Sequence, residues 1–260
     1  MHDSSYALAV VALTFSALAI FAVRVAIRGV VRYDRVDAVG GSPLLSQRLV
    51  EFGYWAVLPV ARALVRVGVT PNHITWMSLG LGLGAGVAIS FGLLGLGAFL
   101  ALLSVLGDCL DGQVARLTKS GSAAGEVFDA SVDRYVEFFY IGGLVLFYHD
   151  SIPCQAVALF ALVASFMVSY ATAKAEAMDV VPPKGAMRRH ERSVYLIAGC
   201  VFSSLLSPWL EPFPRYPALR ATPALAALIV VALVGNYSAA RRLWLTARAL
   251  RERESRSTKP

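Results

Sequence analysis

The chain has 260 residues, of which 57% are hydrophobic and only 16% charged, whereas soluble domains carry about 25% charge. At about 20 residues per membrane-spanning helix, this length and composition fit six or seven spans with short loops and exclude a large separate soluble domain. The 24 Lys and Arg against 17 Asp and Glu give a net charge of +7, which in a membrane protein points to cytoplasmic loops and anionic headgroups rather than to nucleic acid.

The first apolar stretch, residues 6–23, is preceded by Asp3 and followed by Arg24, Arg28, Arg32 and Arg35. That order is the reverse of a signal peptide and predicts a retained anchor helix with its amino terminus outside. Residues 42–68 mix apolar positions with Arg48, Glu51, Arg62 and Arg66, too polar to span and suited to a helix lying in the cytoplasmic interface, with Tyr54 and Trp55 at headgroup depth. Thr70 and Pro71 then open a helix, Thr70 as cap and Pro71 at the first turn.

Six further helices are expected at about 71–94, 96–117, 125–148, 154–178, 193–210 and 223–250, the last passing into water near Arg241, Arg242 and Arg248. In the first of these, Gly80, Gly84 and Ala88 form a small-residue row for close helix approach, and Gly82 and Gly86 repeat the spacing on another face. With seven crossings, 22 of the 24 basic residues fall on the cytoplasmic side and only Arg215 and Arg220 outside, as the positive-inside rule requires. Trp76, Trp209 and Trp244 read as interface anchors, and Ser104 and Tyr170 as hydrogen-bonding either substrate or a neighbouring helix. Cys109, Cys154 and Cys200 have no disulfide or metal-ligand spacing and read as small apolar residues. The expected organisation is an anchor and linker over 1–41, a membrane domain over 42–250 and a basic tail over 251–260.

Six of the 17 acidic residues lie between Asp108 and Glu137, and Asp108, Asp111, Asp129 and Asp133 belong to helices otherwise apolar enough to span. At about 2.5–3.5 kcal/mol for an Asp at the centre of a membrane helix, four unpaired carboxylates are untenable, so they face a polar cavity with a cation between them. Asp108 and Asp111 lie on neighbouring rows of one helix, and Asp129 and Asp133 stack on one face of the next. The short turn between, 117–124 with Gly121, makes the two helices antiparallel and lets their acidic faces meet. Hard oxygen ligands with open positions suit Mg²⁺ or Mn²⁺ shared with a phosphate. Gly112, Ala115 and Gly125 leave that surface without bulk, and Arg116 and Lys119 stand ready for phosphate oxygens.

The run Asp108-x-x-Asp111-Gly112-x-x-Ala115-Arg116, with Gly125, Asp129 and Asp133 following, places eight specified residues across 26 positions. It resembles the signature of the CDP-alcohol phosphotransferase family, and TPNHIT at 70–75 is similar to the opening of that family's first core helix. The resemblance covers about 42–250, with the anchor helix as an addition. It implies an all-α integral membrane fold, a six-transmembrane-helix bundle, here with the extra anchor and a cytoplasmic interfacial helix, that works as a homodimer with its active site facing the cytoplasm. The implied reaction moves a substituted phosphate from a CDP-linked donor, CDP-diacylglycerol, to a small alcohol and releases CMP. By the same resemblance Asp108, Asp111 and Asp129 hold two Mg²⁺ or Mn²⁺ ions, Asp133 contacts one ion and takes the proton of the attacking hydroxyl, and Gly112, Ala115, Arg116 and Gly125 line the donor site.

For the acceptor, the cluster GAMRRHER at 185–192, preceded by Lys184, sits on the carboxylate side and suits a phosphorylated alcohol. The segment 169–192 and Arg134 resemble members that use inositol phosphate or inositol, with Arg134, Arg188, Arg189 and Arg192 as acceptor-binding residues, although His190 stands where those relatives tend to have proline and Thr172 where a basic residue is common. Glycerol 3-phosphate is the alternative acceptor, and serine, which has no phosphate, comes after it. Other classes are a structural ion-pair network with Arg116 and Arg134 or a cation or proton pathway, neither of which needs Gly112, Ala115 and Gly125 at those positions; a prenyl-transferase, whose carboxylate motifs are separated by much more chain; and a silent scaffold, against which the intact motif argues. His73 reads as a tolerated interfacial residue, and His149 and Asp150 lie on the outer side.

Overall fold

The computed structural model describes residues 3–29, 47–183, 185–210 and 221–257. Arg32, Arg35, Lys184, Arg215, Arg220, the side chain of Trp209 and the expected boundary at 41–42 lie outside the described residues. Eight helices are described: α1 (Asp3–Arg28), α2 (Gln47–Arg66), α3 (Pro71–Ser90), α4 (Leu94–Thr118), α5 (Ala123–Phe147), α6 (Ile152–Ala177), α7 (Arg189–Leu210) and α8 (Thr222–Ser257). By length and composition α1, α3, α4, α6 and α8 can each cross a membrane. The charges of α5 (Glu126, Asp129, Asp133, Arg134, Glu137) set it apart from that group, whereas the sequence of α7 carries no Asp, Glu, Lys or Arg from Ser193 to Leu210.

Helix α3 starts as its sequence dictates: Pro71 occupies the first turn and Thr70 Oγ1 accepts from the His73 amide at 3.4 Å. It ends earlier than expected. Gly92 adopts a left-handed φ of +81°, and the Gly92 and Leu93 amides return to the carbonyls of Ile89 and Ala88, each at 2.9 Å, so the chain reverses at 91–93 and α4 begins at Leu94.

Helix α3 packs on both α4 and α5, α6 on α5 and α8, and α7 on α4 and α8. The close approach of α3 to α5 uses the second glycine row. A Cβ on Gly82 would lie 2.9 Å from Val136, one on Gly86 would run into the Phe139 carbonyl and one on Gly143 into the Gly86 carbonyl, whereas Gly80 has open space around it and Gly84 touches only Leu100. Shared contact of backbones is what small residues permit in a bundle with no water to drive association.

At its start the amino-terminal helix is tied to the bundle by the side chain of Asp3. Asp3 accepts hydrogen bonds from the amides of Gly95 and Leu96 at 2.8 and 2.9 Å and from Ser204 Oγ at 2.6 Å. Helix α4 has no side-chain cap from its own Leu93, so the Asp3 carboxylate satisfies its first free amides from another helix. Further along α1, Phe21 packs against Phe52 and Trp55 of α2, at 5.5 and 5.3 Å between ring centroids.

Candidate active site

Helices α4 and α5 are joined by a turn at 119–122, and both pack on α3 rather than along each other. Lys119, not Gly121, takes the left-handed conformation, with φ 52°, and Ser122 caps α5 by accepting from the Gly125 amide at 3.1 Å. That cap fixes the first turn of α5, and Gly125 sits so close to it that a Cβ there would lie 3.2 Å from Ser122 Oγ. The turn sends Asp129 back towards Asp108 and Asp111, and carboxylate oxygens of these three residues all lie within 4.8 Å of one another. Asp129 Oδ1 is buried with no hydrogen-bond partner among the described residues. Asp111 is held from α3, where Thr75 Oγ1 donates to Asp111 Oδ2 at 2.7 Å.

Asp133 adjoins that trio through Asp108, whose carboxylate lies within hydrogen-bond reach of its own. It is 7% exposed and forms an ion pair with Arg189, the first residue of α7, whose Nη1 also bonds Asp108 Oδ1 at 2.8 Å. One guanidinium therefore joins the two aspartate helices. Asp133, Glu137 and Arg189 line a small cavity whose other walls include Val105, Tyr140 and Leu196.

Gly112 does keep its surface free of bulk, but the space beside it is taken by Arg116: a Cβ on Gly112 would meet the guanidinium at 3.4 Å. Arg116 also lies over the Tyr54 ring of α2, 5.9 Å from its centroid. Ala115 is half-buried on the same helix.

The four acceptor candidates separate. Arg189 reaches the aspartates. Arg188 precedes α7, and its backbone amide donates to Glu191 at 3.2 Å. Arg134 and Arg192 do not face the aspartate trio; both turn to Glu137. Arg192 is 1% exposed, with Nε and Nη2 each 2.7 Å from Glu137 Oε1 and Nη1 donating to the Met187 carbonyl at 2.6 Å. Arg134 lies 3.4 Å from Glu137 Oε2 and donates to Ser169 Oγ. Burial explains the arrangement: a guanidinium removed from water must find a carboxylate or carbonyls, and Glu137 is one turn beyond Asp133 on the same face.

Thr75 and Glu137 are the residues that the sequence reading left without a role. Glu137 had a signal, since it extends the Asp129, Asp133 spacing by four. Thr75 had only its place at the end of TPNHIT. Ser104, open between two readings, donates to the Ser78 carbonyl at 2.7 Å and so bonds a neighbouring helix. His73 serves through its backbone amide alone in the cap of α3.

Three acidic oxygens without bulky neighbours, one of them unpartnered, beside arginines that can meet anionic oxygens, are suited to a cation-assisted reaction on a phosphorylated substrate. Residues 68–234 match the family model described as CDP-alcohol phosphatidyltransferase. The chain is 33% identical over 191 residues to the phosphatidylinositol phosphate synthase of Mycobacterium marinum, covering 72% of this chain and 77% of that protein. It is 30% identical over 201 residues to that of Cutibacterium acnes, covering 75% and 95%. Among solved structures, it resembles Mycobacterium tuberculosis phosphatidylinositol phosphate synthase with CDP-DAG bound, with a TM-score of 0.61 and 28% identity over 73% of this chain and 92% of that one. The same enzyme in complex with manganese and citrate gives a TM-score of 0.62 at 28% identity, over 73% and 88%. With the aspartate run intact and the match extending over most of the membrane bundle, this multi-pass integral membrane enzyme of phospholipid biosynthesis belongs to the CDP-alcohol phosphatidyltransferase family.

Proposed function

We propose that the chain transfers the phosphatidyl group of CDP-diacylglycerol to inositol phosphate and releases CMP, at a site facing the cytoplasm in a homodimer of six-span bundles with α1 as an added anchor. Residues 42–250 form the catalytic domain in this reading, 1–41 the anchor and linker, and 251–260 a basic tail. The observation that carries it is Arg189, a guanidinium held between Asp108 and Asp133, which brings a phosphate-binding cation beside a carboxylate able to take a hydroxyl proton. Relatives named phosphatidylinositol phosphate synthase point to the same acceptor.

The carboxylates fit Mg²⁺ or Mn²⁺. Asp108, Asp111 and Asp129 offer hard oxygens within 4.8 Å of one another, and the unpartnered Asp129 Oδ1 is a buried acceptor that a divalent cation would satisfy. They would hold the ions, with Asp133 at the edge of the set. Bound there, the ions would neutralise the diphosphate and stabilise the departing CMP.

The chain's own groups do the rest. Gly112, Ala115 and Gly125 leave room for the nucleotide, and Arg116, lying over Gly112, meets diphosphate oxygens. Arg189 orients the acceptor through its phosphate. Asp133 accepts the hydroxyl proton as the acceptor oxygen bonds to the phosphatidyl phosphorus and the bond from that phosphorus to the CMP oxygen breaks. Arg134 and Arg192 act through Glu137, which they hold beside the cavity, and Arg188 adds positive charge one residue before Arg189.

Radiolabelled inositol phosphate, inositol, glycerol 3-phosphate and serine, each supplied singly with CDP-diacylglycerol and Mg²⁺ or Mn²⁺, test this reading. Product from inositol phosphate is expected. Product from glycerol 3-phosphate alone would move the chain to phosphatidylglycerol phosphate synthesis, and absence of CMP release with all four would return it to the scaffold class.

A further inference from the structure

Cys109 and His190 take no part in the proposed reaction, yet the fold brings both to one of its carboxylates. A carboxylate oxygen of Asp108, Cys109 Sγ and a ring nitrogen of His190 all lie within 4.8 Å of one another. Two helices make this meeting. On α4, Cys109 is turned about 100° from Asp108 around the helix axis, whereas Asp111 is turned about 60° to the other side. Asp108 therefore stands between the trio it forms with Asp111 and Asp129 and a second set that includes His190 of α7. Helix α7 packs on α4 and begins at Arg189, so His190 falls in its first turn. Arg189 Nη1 takes Asp108 Oδ1, and a carboxylate has a second oxygen to offer. The His190 ring has no hydrogen bond among the described residues; the residue is exposed to water, while Cys109 is half-buried.

The two sets differ in chemistry. The trio offers only hard oxygens, whereas a thiolate, an imidazole and a carboxylate together are ligands for Zn²⁺, which takes sulfur and nitrogen far better than Mg²⁺ or Mn²⁺ does. Bonds of about 2.0–2.3 Å to a tetrahedral ion place ligand atoms about 3.5 Å apart, so this set closes on one ion by side-chain shifts of about 1 Å. Three protein ligands leave the fourth position to water. As the Zn–S bond forms, the Cys109 thiol releases its proton to solvent. We propose that Asp108, Cys109 and His190 form a second cation site, selective for Zn²⁺ over Mg²⁺, and that an ion held there inhibits the transfer reaction by drawing Asp108 away from the trio and from Arg189. The inhibition rests on the reading of Asp108 as a ligand of the Mg²⁺ or Mn²⁺ ions; the site itself does not.

Full-length wild type, Cys109→Ala and His190→Gln in detergent test it in two ways. Without substrate, Co²⁺ serves as a spectroscopic stand-in for Zn²⁺. The wild type should show the intense near-ultraviolet absorption of a thiolate bound to Co²⁺, and added Zn²⁺ should abolish it. Cys109→Ala, which keeps Cys154 and Cys200, should lack the band. His190→Gln should need at least about tenfold more Co²⁺ to develop it, since loss of even an outer-shell partner costs about 10–100-fold in metal affinity. In Mg²⁺-supported CMP release both variants should keep the wild-type rate within about twofold, and the Zn²⁺ concentration for half-inhibition should rise at least about tenfold in each. No band in the wild type, a band that survives Cys109→Ala, or unchanged Co²⁺ affinity in His190→Gln would overturn the site. Because His190 is exposed, its variant decides the matter should Cys109→Ala fail to fold. Equal Zn²⁺ sensitivity in the three proteins would overturn the inhibition and place the inhibitory ion elsewhere. If no acceptor supports CMP release, the proposed reaction fails by itself, and the Co²⁺ spectra still decide the site.

Discussion

Thr75 donates its hydroxyl proton to Asp111 Oδ2 at 2.7 Å across the contact of α3 and α4, with both residues at least 95% buried. The bond fixes one oxygen of a carboxylate that belongs to the close trio with Asp108 and Asp129. Hydrogen bonds to charged groups contribute about 1.5–3 kcal/mol, so removing this one should loosen the trio rather than unfold the bundle. We expect Thr75→Val to raise the Mn²⁺ concentration needed for half-saturation by about tenfold, the equivalent of about 1.4 kcal/mol, and Thr75→Ser to stay within about twofold. Mn²⁺ binding followed by electron paramagnetic resonance, without substrate, reads this directly; equal behaviour of the two variants would remove the hydroxyl from the account.

Asp111 itself is a harsher test. An amide in its place still accepts the Thr75 hydrogen bond through its carbonyl oxygen, so folding should survive, but it withdraws a negative charge from the trio. Asp111→Asn is expected to lose divalent-dependent CMP release and high-affinity Mn²⁺ binding together. A variant with unchanged Mg²⁺ dependence would sink the two-ion reading of Asp108, Asp111 and Asp129.

Asp133 touches the trio through Asp108 and is paired with Arg189, and that pairing suits a base on the acceptor side. Asp133→Asn should therefore retain CDP-diacylglycerol binding, measured calorimetrically, and lose turnover by about 10²–10⁴, the range over which a positioned base contributes. Near-normal CMP release from this variant would take Asp133 out of the chemistry.

What the sequence made legible follows from local physics. The cap at Thr70 and Pro71, the meeting of Asp129 with Asp108 and Asp111 across a short turn, and the added helix before the bundle all depend on spacing within a few residues. The misses depend on partners far away in the chain. Nothing near Arg192 says that it will bury itself against Glu137, 55 positions earlier, or that Arg134 will turn to the same carboxylate. Nothing near Gly80 says that the row of Gly82 and Gly86, rather than its own, will face α5. The left-handed residue in the turn after α4 is Lys119, which directly follows the last helical residue Thr118 and takes that conformation although Gly121 follows.

The tie between α1 and the bundle is concentrated at Asp3. Its carboxylate supplies the cap that α4 lacks and accepts from Ser204 of α7. Loss of a capping side chain costs about 0.5–2 kcal/mol, and here it also releases a second helix. Asp3→Asn, which keeps one acceptor oxygen but sets an NH2 group against an amide that the carboxylate accepts from, should lose part of the tie, whereas Asp3→Ala should lower the thermal midpoint in detergent further and speed hydrogen exchange at 94–97 more. Exchange at 94–97 unchanged from wild type in both variants would show that α1 is held by its apolar contacts through Ala7 and Val10 instead.

The two glycine rows of α3 give the sharpest contrast in packing. Gly86 abuts the backbone of α5 at Phe139 and Gly143, so a methyl group there meets a carbonyl that cannot rotate away, and the helices must separate to admit it. Gly80, six residues earlier, has open space where its Cβ would stand. Helix propensity favours alanine at both positions by about 0.8–1 kcal/mol, and only packing opposes it. Gly80→Ala should thus be neutral or slightly stabilising. Gly86→Ala should destabilise by about 1–3 kcal/mol, the usual cost of overpacking, and because α5 carries Asp129 and Asp133 it should also depress activity in the protein that still folds. Thermal midpoints and specific activity of the two variants, measured side by side in the same detergent, decide it: similar stability in both would mean that α3 and α5 do not approach as closely as the glycine row requires.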